Sequence, residues 1–210
     1  MTDGFTIIEW IPIGMDLSLV NGCQWLKERQ ININKELMVF LMDFIIRPVK
    51  LEDAASINEM RRMDGVRENT LGIFSERVTR SEDFIKGLSE YEHLLVAEVN
   101  ENEVKKVIGL VGLHINRNPR LRHSASVGIM VHVDYQGKGI GTALLKKVID
   151  LADNWLMLVR LELTAFIENE GAVKLYKSLG FEIEGTKKVA AIRNGKYADE
   201  YLMARYNLGS

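Results

Sequence analysis

With 210 residues, 47% of them hydrophobic, and a formal net charge of −2, the chain can bury one sizeable core and carries no basic field of the kind that draws a protein to nucleic acid. Its single cysteine, Cys23, excludes an internal disulfide and a cysteine-based zinc site and suits a reducing compartment. MTDG at the start puts an acid where a secretory signal carries positive charge, and the longest apolar run, ELMVFLMDFII (36–46), contains Asp43 and falls far short of a membrane span. The reading is of a soluble cytoplasmic protein with neither membrane nor nucleic acid as partner.

Residues 1–41 stand apart: they hold Cys23, two of the three tryptophans and no clean period. DFIIRPVKLEDAASINEM (43–60) then reads as a short strand, a break at Pro48 and an amphipathic helix with Leu51, Ala54, Ala55 and Ile57 on one face. Segment 61–90 is polar, helical or loop. HLLVAEVN (93–100) and KKVIGLVGLHIN (105–116) flank ENEV, a hairpin signal, and SASVGIMVHVD (124–134) is a longer strand after a turn at 117–121.

GTALLKKVIDLADNWL (141–156) has Leu144, Val148, Leu151, Ala152 and Trp155 in one stripe and predicts a helix. VRLELTAFI (159–167) alternates as a strand, and EGAVKLYKSLG (170–180) is a helix closed by Gly180. Asn194-Gly195 joins two closing strands as a hairpin turn. Strands, then strand–helix–strand–helix, then a hairpin make one α/β domain around a mixed sheet.

The densest signal is QGKGIGTALL (136–145), where glycines at 137, 139 and 141 run into a helix. No Lys-Ser or Lys-Thr follows them, which excludes a P-loop, and Thr142 stands where a dinucleotide fingerprint needs its third glycine. What remains is a strand–glycine loop–helix junction whose successive amides and helix dipole suit a pyrophosphate, with Lys138 adding charge. A tight turn with no ligand is the alternative, but three alternating glycines cost backbone entropy that a plain turn does not require.

VDYQGKGIGTALL resembles the acetyl-CoA signature of the GNAT superfamily of N-acyltransferases, carried by Gln136, Gly139 and Gly141, and LELTAFIENEGAVKLYKSLGFEIEG resembles the same family's next strand–helix–strand unit. The resemblance runs from about Asp43 to Tyr206, and the closing third is similar to bacterial L-amino acid N-acetyltransferases. It divides the chain into an extension of unknown role (1–41) and a GNAT domain (42–210). The implied fold is a mixed, mostly antiparallel sheet with a central splayed parallel strand pair flanked by helices.

The resemblance implies acetyl-CoA as co-substrate, its pyrophosphate on the backbone of Gln136, Gly137, Lys138, Gly139, Ile140, Gly141 and Thr142. It also implies that the pantetheine pairs with backbone at Val131 and Val133, whose side chains read as ordinary core, and that a strand N–H there binds the reaction's oxyanion. Asn169 is implied as a pantetheine contact and reads equally as a helix N-cap. Tyr176 is implied as the general acid that protonates the departing thiolate. From spacing alone it is a core aromatic, on one face with Ala172, Leu175 and Leu179.

Many relatives place a glutamate early in the strand before the loop, where this chain reads His123, Ser124, Ala125, Ser126. The base is therefore open, with water relayed to Glu98 or His114 as options. His132 reads as scaffold, the four histidines show no metal spacing, and no metal is expected. Cys23 lies outside the resemblance, so direct attack by the amine is expected.

The expected acceptor is a small primary amine, an L-amino acid first. Five arginines (Arg61, Arg62, Arg67, Arg77, Arg80) with Leu71, Ile73 and Phe74 between them favour an anionic acceptor over a polyamine, and the 191–200 hairpin is implied as the opposite wall. Acetylation of a polyamine or of a ribosomal-protein N-terminus, and a non-catalytic acyl-CoA-binding module, stand as alternatives. Self-association is left open, a homodimer included.

Overall fold

The computed structural model describes residues 43–101 and 103–208; the 1–41 extension and its Cys23 lie outside the described residues. The stretches read as strands become β1 (Phe44–Pro48), β2 (Glu92–Glu101), β3 (Val104–Ile115), β4 (Ser124–Val131), β5 (Arg160–Phe166), β6 (Glu182–Arg193) and β7 (Lys196–Tyr206). The helices are α1 (Ala54–Arg62), α2 (Arg67–Thr70), α3 (Val78–Lys86), α4 (Ile140–Asp150) and α5 (Glu170–Ser178). No helix among the described residues is long and apolar enough to cross a membrane.

The strands form one sheet in the order β1-β2-β3-β4-β5-β7-β6. All neighbours are antiparallel except β4 and β5, which are parallel and joined by the crossover through α4. This is the architecture expected from the sequence. α1 covers one face, where Ile57, Met60 and Val66 meet Val96, Val107 and Met130. α4 covers the other: Leu144, Leu145, Val148 and Ala152 are fully buried against Ile108, Val111 and Leu113, each large aliphatic stabilising by about 1.5–3 kcal/mol. At the last hairpin, Asn194 and Gly195 both take positive φ (50° and 76°), as a two-residue primed turn requires.

Three sequence expectations shift. The buried face of α1 is Ala54, Ile57, Asn58 and Met60, while Leu51 and Ala55 are exposed, because a 3-10 turn over Leu51–Asp53 precedes the α-helix and offsets its register. The stripe of α4 holds through Ala152, but Trp155 is 76% exposed. Leu151–Trp155 is a π-turn, with Leu156 N–H donating to the Leu151 carbonyl (3.0 Å), and the wider turn rotates Trp155 off the sheet. The strand expected over 124–134 ends at Val131, since the His132 ring accepts the Asp134 N–H (3.3 Å) and Val133–Tyr135 turns as a 3-10 helix.

Candidate functional site

The loop after β4 supplies what its glycines promise. Gly137 and Gly139 have φ of 74° and 82°, a conformation that costs other residues roughly 1–2 kcal/mol. The first backbone bond of α4 is Ala143 N–H to the Gly139 carbonyl (3.0 Å), and the amides of residues 137–142 have no acceptor among the described residues. They precede or open α4, at the positive end of its dipole, where unpaired amides suit an anion.

The expected loop residues divide by what they do. Gln136 is a brace: its N–H donates to the Val133 carbonyl (3.3 Å) and its side chain to the Val131 carbonyl (3.0 Å), so the free amides begin at Gly137. The Lys138 ammonium lies 5.1 Å above the Tyr135 ring, beside Lys106 at 5.3 Å. Ile140 is 1% exposed and offers only its amide; Thr142 offers its amide from the first turn of α4. Gly141 has ordinary helical φ, but a Cβ there would stand 3.3 Å from Leu175 Cδ2 and 3.8 Å from both Ile129 and Val131. The packing of α4 against α5 and β4 is by itself a reason for glycine at this position.

Beside this loop the sheet opens. β4 and β5 pair only at Ser124↔Arg160, Ala125↔Leu161 and Ser126↔Glu162. In the β3–β4 ladder His132 N–H bonds to the Ile108 carbonyl (2.9 Å). The even positions of β4 therefore face β3, and the backbone groups of Val127, Ile129 and Val131 face the gap. On the other side Asn207 N–H bonds to Val159 and Ile167 N–H to Asp199. By the same alternation Thr164 and Phe166 turn their backbone to the gap. Val131 thus stands where a strand-like ligand could pair, with its N–H free. Val133 lies past the strand end, its side chain 42% exposed and starting the 3-10 turn.

α5 brings two further residues to the gap. Asn169 caps the helix, its Oδ1 accepting Ala172 N–H (3.2 Å), and its Nδ2 makes no bond to a described residue. At the other end Gly180 N–H reaches the Lys177 carbonyl and Phe181 N–H the Tyr176 carbonyl, a Schellman closure whose hydrophobic contact is the Tyr176–Phe181 ring pair at 6.0 Å. Tyr176 is therefore a core aromatic, as its spacing implies, and it also lines the cleft. Its hydroxyl makes no hydrogen bond to a described residue, and burial pushes its pKa up to about 12, so it is protonated at any physiological pH.

The gap continues into a cleft of about 290 Å³. Leu71, Phe84, Leu94, Ile129, Met130 and Phe166 supply apolar wall, and the ionisable residues on it are Arg61, His114, Tyr176 and Glu200. Of the five arginines between 61 and 80, only Arg61 lines the cleft. Its Nε donates to buried Glu76 (3.0 Å), and its Nη nitrogens make no bond to a described residue. Arg80 also pairs with Glu76, Arg67 with Asp64 and Glu68, and Arg62 with the Phe74 carbonyl. Phe74 is exposed, with Arg62 and Arg67 over its ring, and Ile73 is exposed too, so of the three apolar residues expected at the pocket only Leu71 reaches it. Arg193, on the closing hairpin, bonds the Glu68 carbonyl (3.1 Å) and Asn69 Oδ1 (3.2 Å) and ties that hairpin to α2 beside the cleft.

Of the two base options, Glu98 is engaged elsewhere: it accepts Arg47 Nε (2.8 Å) in a cluster with Asp53 that pins β1 to β2. His114 does line the cleft, near Phe84. Glu200 escaped sequence reading altogether. Its signal was a charge in register with inward Ala198 on an alternating strand.

These features have counterparts among known proteins. A model of the acetyltransferase (GNAT) family matches residues 63–181. L-amino acid N-acetyltransferase AaaT of Escherichia coli is 46% identical over 99 residues, 47% of this chain and 61% of that protein. Spermidine N(1)-acetyltransferase of Vibrio cholerae is 35% identical over 102 residues, 48% of this chain and 57% of that protein, so the chain spans less than two thirds of the length of either. The crystal structure of spermidine N-acetyltransferase from Vibrio cholerae in complex with CoA and spermine matches with a TM-score of 0.68 at 26% identity, covering 78% of this chain and 95% of that one. A family match over more than half the chain, on the splayed sheet and glycine loop just described, makes this chain a member of the GNAT family of acetyltransferases.

Proposed function

We propose that the chain is an acetyl-CoA-dependent N-acetyltransferase acting by direct attack of a small primary amine, an L-amino acid. The carrying observation is continuity: free amides at the start of α4, a gap between β4 and β5, and a buried, protonated Tyr176 lie along one path that ends in the cleft. Acetyl-CoA supplies the activated acyl group. The amides of 137–142 hold its pyrophosphate, the Val131 N–H and Asn169 Nδ2 face its pantetheine, and the Tyr176 hydroxyl donates a proton to the sulfur as the thiolate departs.

The acceptor class follows from the cleft's charges. One arginine with free Nη groups, Arg61, and one carboxylate, Glu200, stand among apolar walls. An amino acid needs a cation for its carboxylate, an anion for its ammonium and room for a side chain; a polyamine needs several anions. Arg61, fixed through Nε by Glu76, presents the rest of its guanidinium for a forked carboxylate contact.

A panel of amines assayed for coenzyme A release tests this. Release with methionine or phenylalanine should clearly exceed release with spermidine. Faster turnover of spermidine would overturn the acceptor class and leave acetyl transfer standing. Tight binding of acetyl-CoA with no release for any amine would replace the enzyme by a binding module.

A further inference from the structure

The reaction needs a group to take the proton from the acceptor, because an α-amino group enters at neutral pH as an ammonium and only the free amine attacks. We propose that Glu200 is that base; the proposal rests on the acetyltransferase reading above and names a catalytic residue within it. Glu200 is 6% exposed, yet its carboxylate accepts no hydrogen bond from any described residue. Among the described residues its ion-pair partner is the half-exposed Lys187, with Nζ at 3.6 Å, beyond hydrogen-bond distance.

The other buried acids sit apart from the cleft or hold its arginine, though Glu76 Oε2 is itself buried without a partner among the described residues. Asp53 and Glu98 both hold Arg47, and Glu76 holds Arg61 and Arg80. With no hydrogen-bond donor among the described residues, the Glu200 carboxylate is open to a donor that enters the cleft. Glu200 lines the same cleft as Tyr176, and its place is fixed by register, opposite Phe166 on β5, the strand that borders the gap. An ammonium entering the cleft supplies the missing donor and gives up a proton to it.

The steps then balance. Glu200 accepts one proton from the ammonium and later releases it to water. The neutral nitrogen attacks the thioester carbonyl, the C–N bond forms and the C–S bond breaks. The thiolate takes the Tyr176 proton, and the second proton on the acylated nitrogen returns to the tyrosinate. Per turnover one ammonium and one thioester yield one amide, one thiol and one proton. His114, on β3, is the other cleft residue that could serve as base.

The test compares Glu200→Gln with His114→Gln using two acceptors: the amine that the unaltered chain turns over fastest, and hydroxylamine, which is already unprotonated at neutral pH. Glu200→Gln should lower kcat/KM for the ammonium-forming amine by roughly 10²-fold or more at pH 7. That loss should shrink as pH rises, while hydroxylamine turnover and acetyl-CoA binding by calorimetry stay near normal. Glu200→Asp should retain part of the activity, and it carries the comparison if Glu200→Gln does not fold. Equal loss with both acceptors, no loss with either, or an ammonium-specific loss in His114→Gln instead, overturns the assignment. If the unaltered chain binds acetyl-CoA but releases no thiol with either acceptor, the acetyltransferase reading itself fails and takes Glu200's role with it.

Discussion

The two ends of the gap between β4 and β5 are made of different material. At one end the glycine loop presents backbone: the amides of 137–142, two positive-φ glycines and a helix dipole, with side chains such as Ile140 turned into the core. At the other end the cleft presents side chains drawn from separate elements, Arg61 from α1, His114 from β3, Tyr176 from α5 and Glu200 from β7. On the proposed reading, the backbone end would recognise the phosphate its ligands share and be indifferent to most substitutions. On the same reading, the side-chain end would recognise what distinguishes one acceptor from another.

The largest expected effect lies at the cleft end, at Tyr176. Tyr176→Phe keeps the ring against Phe181 and removes a hydroxyl with no hydrogen-bond partner among the described residues. It should lower kcat by roughly 10²-fold or more while leaving acetyl-CoA affinity and thermal unfolding near those of the unaltered chain. Substantial unfolding with normal turnover per folded molecule would return Tyr176 to a packing role.

A smaller effect should fall on the acceptor end alone. Arg61→Lys keeps a cation for buried Glu76 but loses the fork. The KM for an amino acid should rise roughly 10-fold, the weight of one charge-assisted hydrogen bond, with the KM for acetyl-CoA unchanged. An equal rise for both substrates, read from initial rates, would break the division between the two ends.

Within the loop itself the glycines should separate. A Cβ at Gly137 meets nothing within 4 Å, so Gly137→Ala meets only the positive-φ strain, about 1–2 kcal/mol. Gly141→Val presses on Leu175, the neighbour of Tyr176, and overpacking of this kind destabilises by about 1–3 kcal/mol. Differential scanning calorimetry should show Gly141→Val melting several degrees lower, with kcat reduced as α5 is displaced. A variant at 141 with unchanged melting and a raised acetyl-CoA KM would instead make this glycine part of the cradle.

The same contrast explains what could be read from the sequence. The two runs 93–100 and 105–116 around ENEV, Asn194-Gly195 and Gly180 are local signals, and each became the expected strand, turn or cap. The loop's turn was legible because the positive φ at 137 and 139 favours glycine. Arg61 could be named only as one arginine among five, because partners from other segments, Glu76 above all, decide which one faces the cleft. Glu200 was invisible as a site residue: nothing within its strand shows that β5 parts from β4 beside it. Trp155 misled for a related reason, since a 3.6-residue period cannot anticipate a π-turn.

The smallest expected effect concerns the ground beneath the loop. His132 is buried where β4 ends, its ring edge-on to Tyr135 at 5.2 Å, and its Nδ1 accepts the Asp134 N–H that starts the turn toward Gln136. Burial first, and then the charge of Lys106, hold its pKa below the usual 6.5, against the opposing pull of Asp134, Glu59 and Glu101. The folded chain therefore keeps this histidine neutral in a range where the unfolded chain binds a proton. A lowered folded pKa gives stability that is present above 6.5 and is lost as pH falls through the folded value. Melting temperature should thus decline from pH 7 toward pH 5. His132→Gln keeps an acceptor for Asp134 but cannot titrate, so its decline should be shallower, while turnover at pH 7.5 stays close to normal because His132 touches neither the free amides nor the cleft. An identical slope in the variant would move the acid sensitivity to another group and leave His132 a packing residue alone.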